Sequence, residues 1–128
     1  MKPSREVAAI YFGLQGVAIL CWWCLLLFKP ETRQWFHPEE FDPSSLMAFA
    51  LPDMIVAFAG VLVTVRHLQG HSVSAVAWAA AGGMCYASLY CLAITAMTGK
   101  AMIASVLMAP AAVLSVGAAC VLQNHSEN

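Results

Sequence analysis

One carboxyl interrupts an otherwise apolar stretch: Asp53 stands within LMAFALPDMIVAFAGVLVTV, residues 46–65. An ionised carboxylate at hydrocarbon depth costs about 2.5–3.5 kcal/mol on insertion scales, so it must be matched by a protein partner or by something it binds. A carboxyl in apolar surroundings can also pass a proton to or from an apolar substrate, the chemistry of a membrane isomerase or cyclase. Its depth depends on where the helix begins. A start near Ser44 or Ser45 puts Asp53 more than two turns in, whereas a start at Pro52, a favoured first helical residue, puts it where the helix dipole suits an acid. In either geometry Asp53 shares one side of the membrane with KPETRQWFHPEEFDPS, residues 29–44, whose His37, Glu39, Glu40 and Asp42 could cap a pocket between helices. Asp53, Glu39 and Glu40 are therefore the candidate acid/base groups, and His37 is a candidate ligand contact.

The same pocket needs walls. Trp22 and Trp23 offer flat apolar surface on the first hydrophobic segment, and Tyr86 and Tyr90 share one face of a later one at i, i+4 spacing. Gln15, at mid-depth, adds an amide. Buried hydroxyls and amides need partners, so Gln15, Tyr86, Tyr90, Ser88, Thr95 and Ser105 could equally form a purely structural interhelical network, at about 0.6 kcal/mol per bond.

Cys21-Trp22-Trp23-Cys24 is a C-x-x-C pair inside an apolar helix. In that respect the chain resembles the quinone-linked disulfide-forming enzymes of the vitamin K epoxide reductase type, compact bundles with a C-x-x-C beside a quinone site. The resemblance implies thiol redox work by Cys21 and Cys24. Those enzymes also use a shuttle pair of cysteines, and residues 29–44 contain none; Cys91 could lie at a similar depth, Cys85 is deeper, and Cys120 is at the opposite end. No metal centre is expected. His37, His67, His71 and His125 form no ligand pair within a span, and although Met47, Met54, Met97 and Met102 with His37 would suit Cu(I), methionine is also the usual filler of apolar packing. H-E-x-x-H, G-x-S-x-G and P-loop motifs are absent, so metalloprotease, serine hydrolase and nucleotide-driven pump are unsupported.

These residues are positioned by a chain of 128 residues that is 61% hydrophobic and 10% charged, with a mean hydropathy of +0.74. Globular proteins average about 25% charged residues, so this composition excludes a soluble domain. A net charge of -1 with scattered cations argues against nucleic acid as a partner. Residues 7–28 form a 22-residue run without charge, long enough to cross about 30 Å of hydrocarbon. The run is longer than a signal peptide's apolar core and lacks its cleavage site, and Leu20 precedes Cys21 where a lipoprotein needs a small residue, so the segment is expected to be retained. Further spans are expected over 46–65, 73–97 and 101–122. The fold expected is an all-α integral membrane protein, a single domain with an up-down-up-down bundle of four transmembrane helices and one interfacial loop, 29–44, whose rings lie at headgroup level. Strands would leave backbone groups unsatisfied in lipid.

Small residues recur every four positions at Ala75, Ala79, Gly83 and Ala87, a seam for close helix packing within the bundle, in a homo-oligomer or against a larger membrane complex. Ala101, Ser105 and Ala109 repeat the spacing before Pro110, which should kink its helix. With the N-terminus inside, Lys2, Arg5 and Arg66 face the cytoplasm and Lys29, Arg33 and Lys100 face out. The terminal amine, His67 and His71 then favour both termini cytoplasmic, in a bacterial-type inner membrane. The leading expectation for function is binding of a quinone-, isoprenoid- or sterol-like molecule under the 29–44 loop, with Asp53 as acid/base group. The alternatives are a non-catalytic accessory subunit and the Cys21/Cys24 redox protein; a small transporter ranks lower, because only one helix carries a buried charge.

Overall fold

The computed structural model describes residues 3–35 and 43–124. It contains four helices, α1 (Pro3–Phe28), α2 (Pro43–Leu68), α3 (Ser74–Thr98) and α4 (Met102–Gln123), and no strand among the described residues. All four are long and apolar enough to cross a membrane. Their outer faces carry exposed side chains such as Leu14, Phe58, Leu89 and Val113, a surface that would aggregate in water.

The start of α2 decides between the two geometries for Asp53. The helix begins at Pro43 and continues through Pro52, so the start at Pro52 is not what the chain adopts. Phe49, buried and stacked on Tyr90 with ring centroids 4.6 Å apart, ties the turn before the proline to α3. Asp53 consequently lies about 15 Å along the helix axis from its first residue.

Turn chemistry closes the connections. At the end of α2, Gly70 adopts φ 76° and donates its N–H to the His67 carbonyl (3.0 Å) while His71 N–H reaches Arg66 (2.9 Å), a Schellman arrangement that a left-handed glycine permits. Between α3 and α4, Gly99 ends the helix in the left-handed region, φ 70°, with its N–H on the Thr95 carbonyl (2.8 Å). After α1, residues Pro30–Trp35 form a 3₁₀ turn that folds back on the helix end. Thr32 Oγ1 donates to the Lys29 carbonyl (2.7 Å) and Arg33 Nε to the Leu26 carbonyl (2.8 Å), satisfying acceptors that a helix terminus leaves free.

In the bundle α1 packs on α2 and α4, and α3 packs on the same two helices, which makes a four-sided ring. The α1–α2 seam is close. A Cβ at Gly16 would fall 2.5 Å from the Ala57 carbonyl oxygen and one at Gly60 would fall 2.5 Å from that of Phe12, so only glycine lets these backbones meet. Thr64 Oγ1 crosses the seam to the Ala9 carbonyl (2.6 Å). The α3–α4 seam is pinned by the Thr95 and Ser105 hydroxyls (2.7 Å) and by Trp78 Nε1–H donating to Gln123 Oε1 (2.8 Å).

The small-residue stripe on α3 divides. The buried face follows Ala77, Ala80, Met84, Ala87, Cys91 and Ile94. Of the expected seam, Ala87 is in the core and Gly83 meets Val56 of α2, while Ala75 and Ala79 remain exposed.

Candidate functional site

Asp53 is 3% exposed, and the Trp23 indole N–H donates to its Oδ2 at 2.7 Å. The pairing follows from register: the glycine seam brings α1 and α2 close, and one helix turn beyond Ile19 the large Trp23 side chain reaches across to α2. Trp23 belongs to one apolar cluster with Ile19, Leu26, Phe49, Val56 and Met84.

Beside this pair lies a cavity of about 230 Å³, bounded by Gln15, Ile19 and Trp22 of α1, Asp53 of α2, Met84 of α3, and Ala104, Leu107, Met108 and Ala111 of α4. An apolar cavity of about 150 Å³ holds benzene, so this one admits a substituted ring. Its lining is apolar apart from Gln15 and Asp53. A second space of about 270 Å³ lies on the α2–α3 side, lined by Phe49, Pro52, Asp53, Gly83, Tyr86 and Ala87. Asp53 thus borders both.

Gln15 belongs to a polar network joining α1 to α4. Its Oε1 accepts from the Tyr11 hydroxyl (2.7 Å) and from Ser115 Oγ (2.7 Å), and the Ala111 carbonyl stands as an alternative acceptor for the same two hydroxyls, at 2.9 Å and 2.7 Å. Two hydroxyl protons therefore serve two oxygens, and the carboxamide nitrogen Nε2 is buried with no partner. An unused buried donor costs about 1–3 kcal/mol, which a bound acceptor would offset. The cavity wall thus carries the amide side chain of Gln15, the carboxyl side chain of Asp53 and the indole of Trp22.

The remaining sequence candidates fall in several places. Gln15, Trp22, Trp23 and Asp53 come together. Tyr86 is 60% exposed and borders the second space, while Tyr90 stacks on Phe49; neither lines the cavity beside Gln15. Cys21 and Cys24 are both exposed on α1 with free thiols, while Cys91 is buried in the core. His37, Glu39, Glu40 and Asp42 lie outside the described residues. Among the described residues no three of His, Cys, Asp or Glu gather as a metal-ligand set.

Sequence reasoning missed Tyr11 and Ser115. The i, i+4 spacing of Tyr11 and Gln15 was a usable signal; Ser115, a hundred residues away, had none. The glycines at 13, 16 and 60 were also passed over, although Gly13 and Gly16 stand one helical turn apart. The chain matches no family model, and no curated protein or solved structure matches it.

Proposed function

We propose that this protein is an integral membrane protein, its four helices running up-down-up-down, that binds a lipophilic small molecule of quinone-, isoprenoid- or sterol-like character in the cavity between α1 and α4. The observation that carries this reading is the pairing of a buried carboxyl with a buried, unpartnered amide donor on the walls of one otherwise apolar cavity. Each polar group is expensive in such surroundings, and a guest with a polar head and an apolar body would match both. In an acid/base reaction Asp53 would be the group exchanging a proton with the guest, positioned by the Trp23 indole. The reading keeps both termini on the cytoplasmic side of an inner-type membrane.

Native mass spectrometry of the full chain extracted from its own membrane tests this directly. A retained lipophile of constant mass is expected, lost or reduced in Asp53→Asn and in Gln15→Met while the solubilised fold is unchanged. Extracted protein without a guest, or variants that retain it equally, would end the proposal.

A second reading, an accessory subunit of a larger membrane complex, is favoured by one observation: Ala75 and Ala79 leave a small-residue face of α3 uncovered. It predicts a stoichiometric partner on extraction, lost in Ala79→Leu.

A further inference from the structure

Two spaces open between α1 and α4. The cavity beside Asp53 takes Gln15, Ala18 and Trp22 from α1 and Met108 and Ala111 from α4. A groove of about 240 Å³ takes Ser4, Val7 and Tyr11 from α1 and Leu114, Ala118 and Val121 from α4. Along each helix these positions succeed one another at steps of three or four residues, so each helix contributes a single stripe to both spaces. The linings also touch. The Tyr11 hydroxyl, on the groove, donates to Gln15 Oε1 (2.7 Å), with the Ala111 carbonyl as its alternative acceptor (2.9 Å), and both of those residues line the cavity. Cavity and groove are therefore successive lengths of one furrow. The 18 residue steps from Ser4 to Trp22 make it about 27 Å long, close to the roughly 30 Å of hydrocarbon in a bilayer.

Polarity along this furrow is one-sided. The Asp53 carboxyl lies in the length that ends at Trp22. The hydroxyls of Tyr11 and Ser115 are engaged with Gln15 and Ala111, and past them the groove offers the aliphatic side chains of Val7, Leu114, Ala118 and Val121. Val7 and Leu114 are exposed, so this length opens on the outer surface of the bundle. The Tyr11 bridge closes the interior between the two spaces, and what joins them runs outside it. A flexible chain follows such a path, whereas a rigid fused-ring body does not bend around the bridge. We infer that the guest of the Asp53 cavity carries a flexible hydrocarbon tail that lies along the α1–α4 groove toward Ser4, which selects a ring bearing a prenyl or alkyl chain over a sterol. This inference rests on the cavity at Asp53 binding a lipophile. Binding is non-covalent, and because the tail exchanges one hydrocarbon contact for another, its gain comes from packing and from being tethered to a head already held in place.

The test is native mass spectrometry of the full chain in a neutral detergent, titrated with menadione, a bare naphthoquinone, and with the same ring bearing a geranylgeranyl chain. Wild type should bind the chain-bearing ring about tenfold more tightly than menadione. Leu114→Trp, which fills the groove from its exposed side, should bring the chain-bearing ring down to the affinity of menadione and leave menadione itself unchanged. Ala118→Leu, a smaller change in the same groove, should remove part of the preference. Equal binding of the two rings by wild type, or an undiminished preference in both variants, would overturn the tail and leave the reading of the cavity standing. A phospholipid retained together with the chain-bearing ring at full affinity would assign the groove to a lipid chain and overturn the tail as well. Binding of neither ring would overturn the reading of the cavity and the tail with it.

Discussion

Helix α1 presents two faces that solve the packing problem in opposite ways. Toward α2 it offers Gly13 and Gly16, and the backbones approach until a single methyl group would collide with a carbonyl oxygen. Toward α4 it offers Tyr11, Gln15, Ala18 and Trp22, and the result is a polar network beside an open cavity. Within lipid, helices gain nothing from exchanging hydrocarbon contact with one another, so association rests on close packing and interhelical hydrogen bonds. The α1–α2 face uses the first, and the α1–α4 face uses the second and leaves space. The difference teaches that the rigid seam is what allows the loose one: Trp23 can hold Asp53 in place because the glycines bring α2 within its reach.

The comparison is broken most severely at its tight side. Gly16→Val should destabilise the protein by about 3 kcal/mol in a denaturant titration in detergent, because the new side chain meets Ala57 backbone and Val61 with no room to yield. A loss under about 1 kcal/mol would show that the seam can open. Where the two faces meet, Trp23→Phe should cost about 2 kcal/mol by leaving the buried carboxyl unmatched, while Asp53→Asn, which keeps an acceptor for the indole, should cost under about 1 kcal/mol. The reverse order of these two would mean that the indole is not the acid's essential partner.

On the loose side, Ala111→Leu should fill the cavity with a stability change under about 1 kcal/mol and abolish retention of a lipophile seen by native mass spectrometry. A destabilisation as large as that of Gly16→Val would erase the contrast between the faces. The smallest effects sharpen it. Tyr11→Phe and Thr64→Val, which remove one interhelical hydroxyl on each side, should each cost about 0.6 kcal/mol on unfolding. Tyr11→Phe should in addition loosen Gln15, read as weaker retention of the lipophile, whereas Thr64→Val should leave retention unchanged.

The four apolar helices were legible because composition and run length alone dictate them: an uncharged run of twenty-two residues has few ways to satisfy its backbone except as a helix in a hydrophobic medium. Asp53 was legible as the anomaly, since one carboxyl among aliphatic residues stands out in any reading. Trp22, Trp23 and Gln15 were legible as residue types that suit a pocket wall. Tyr86 and Tyr90 looked equivalent to them, and that their shared face turns away from the cavity beside Gln15 reflects the rotation of α3 about its own axis, which nearly uniform hydrophobicity around that helix does not encode. For the same reason the recurring alanines at 75 and 79 read as a seam, yet the buried face runs through Ala77, Ala80 and Met84.

Sequence by itself thus determined how many helices there are, how long they are, and that one acid must find company inside them, because each of these follows from local chemistry and the demands of an unsatisfied backbone or charge. Tertiary structure alone decided which company: the indole of Trp23 for Asp53 and the hydroxyls of Tyr11 and Ser115 for Gln15. Those pairings depend on helix rotation and on how closely two glycine-bearing backbones can approach, quantities fixed by steric contact between segments far apart in the chain.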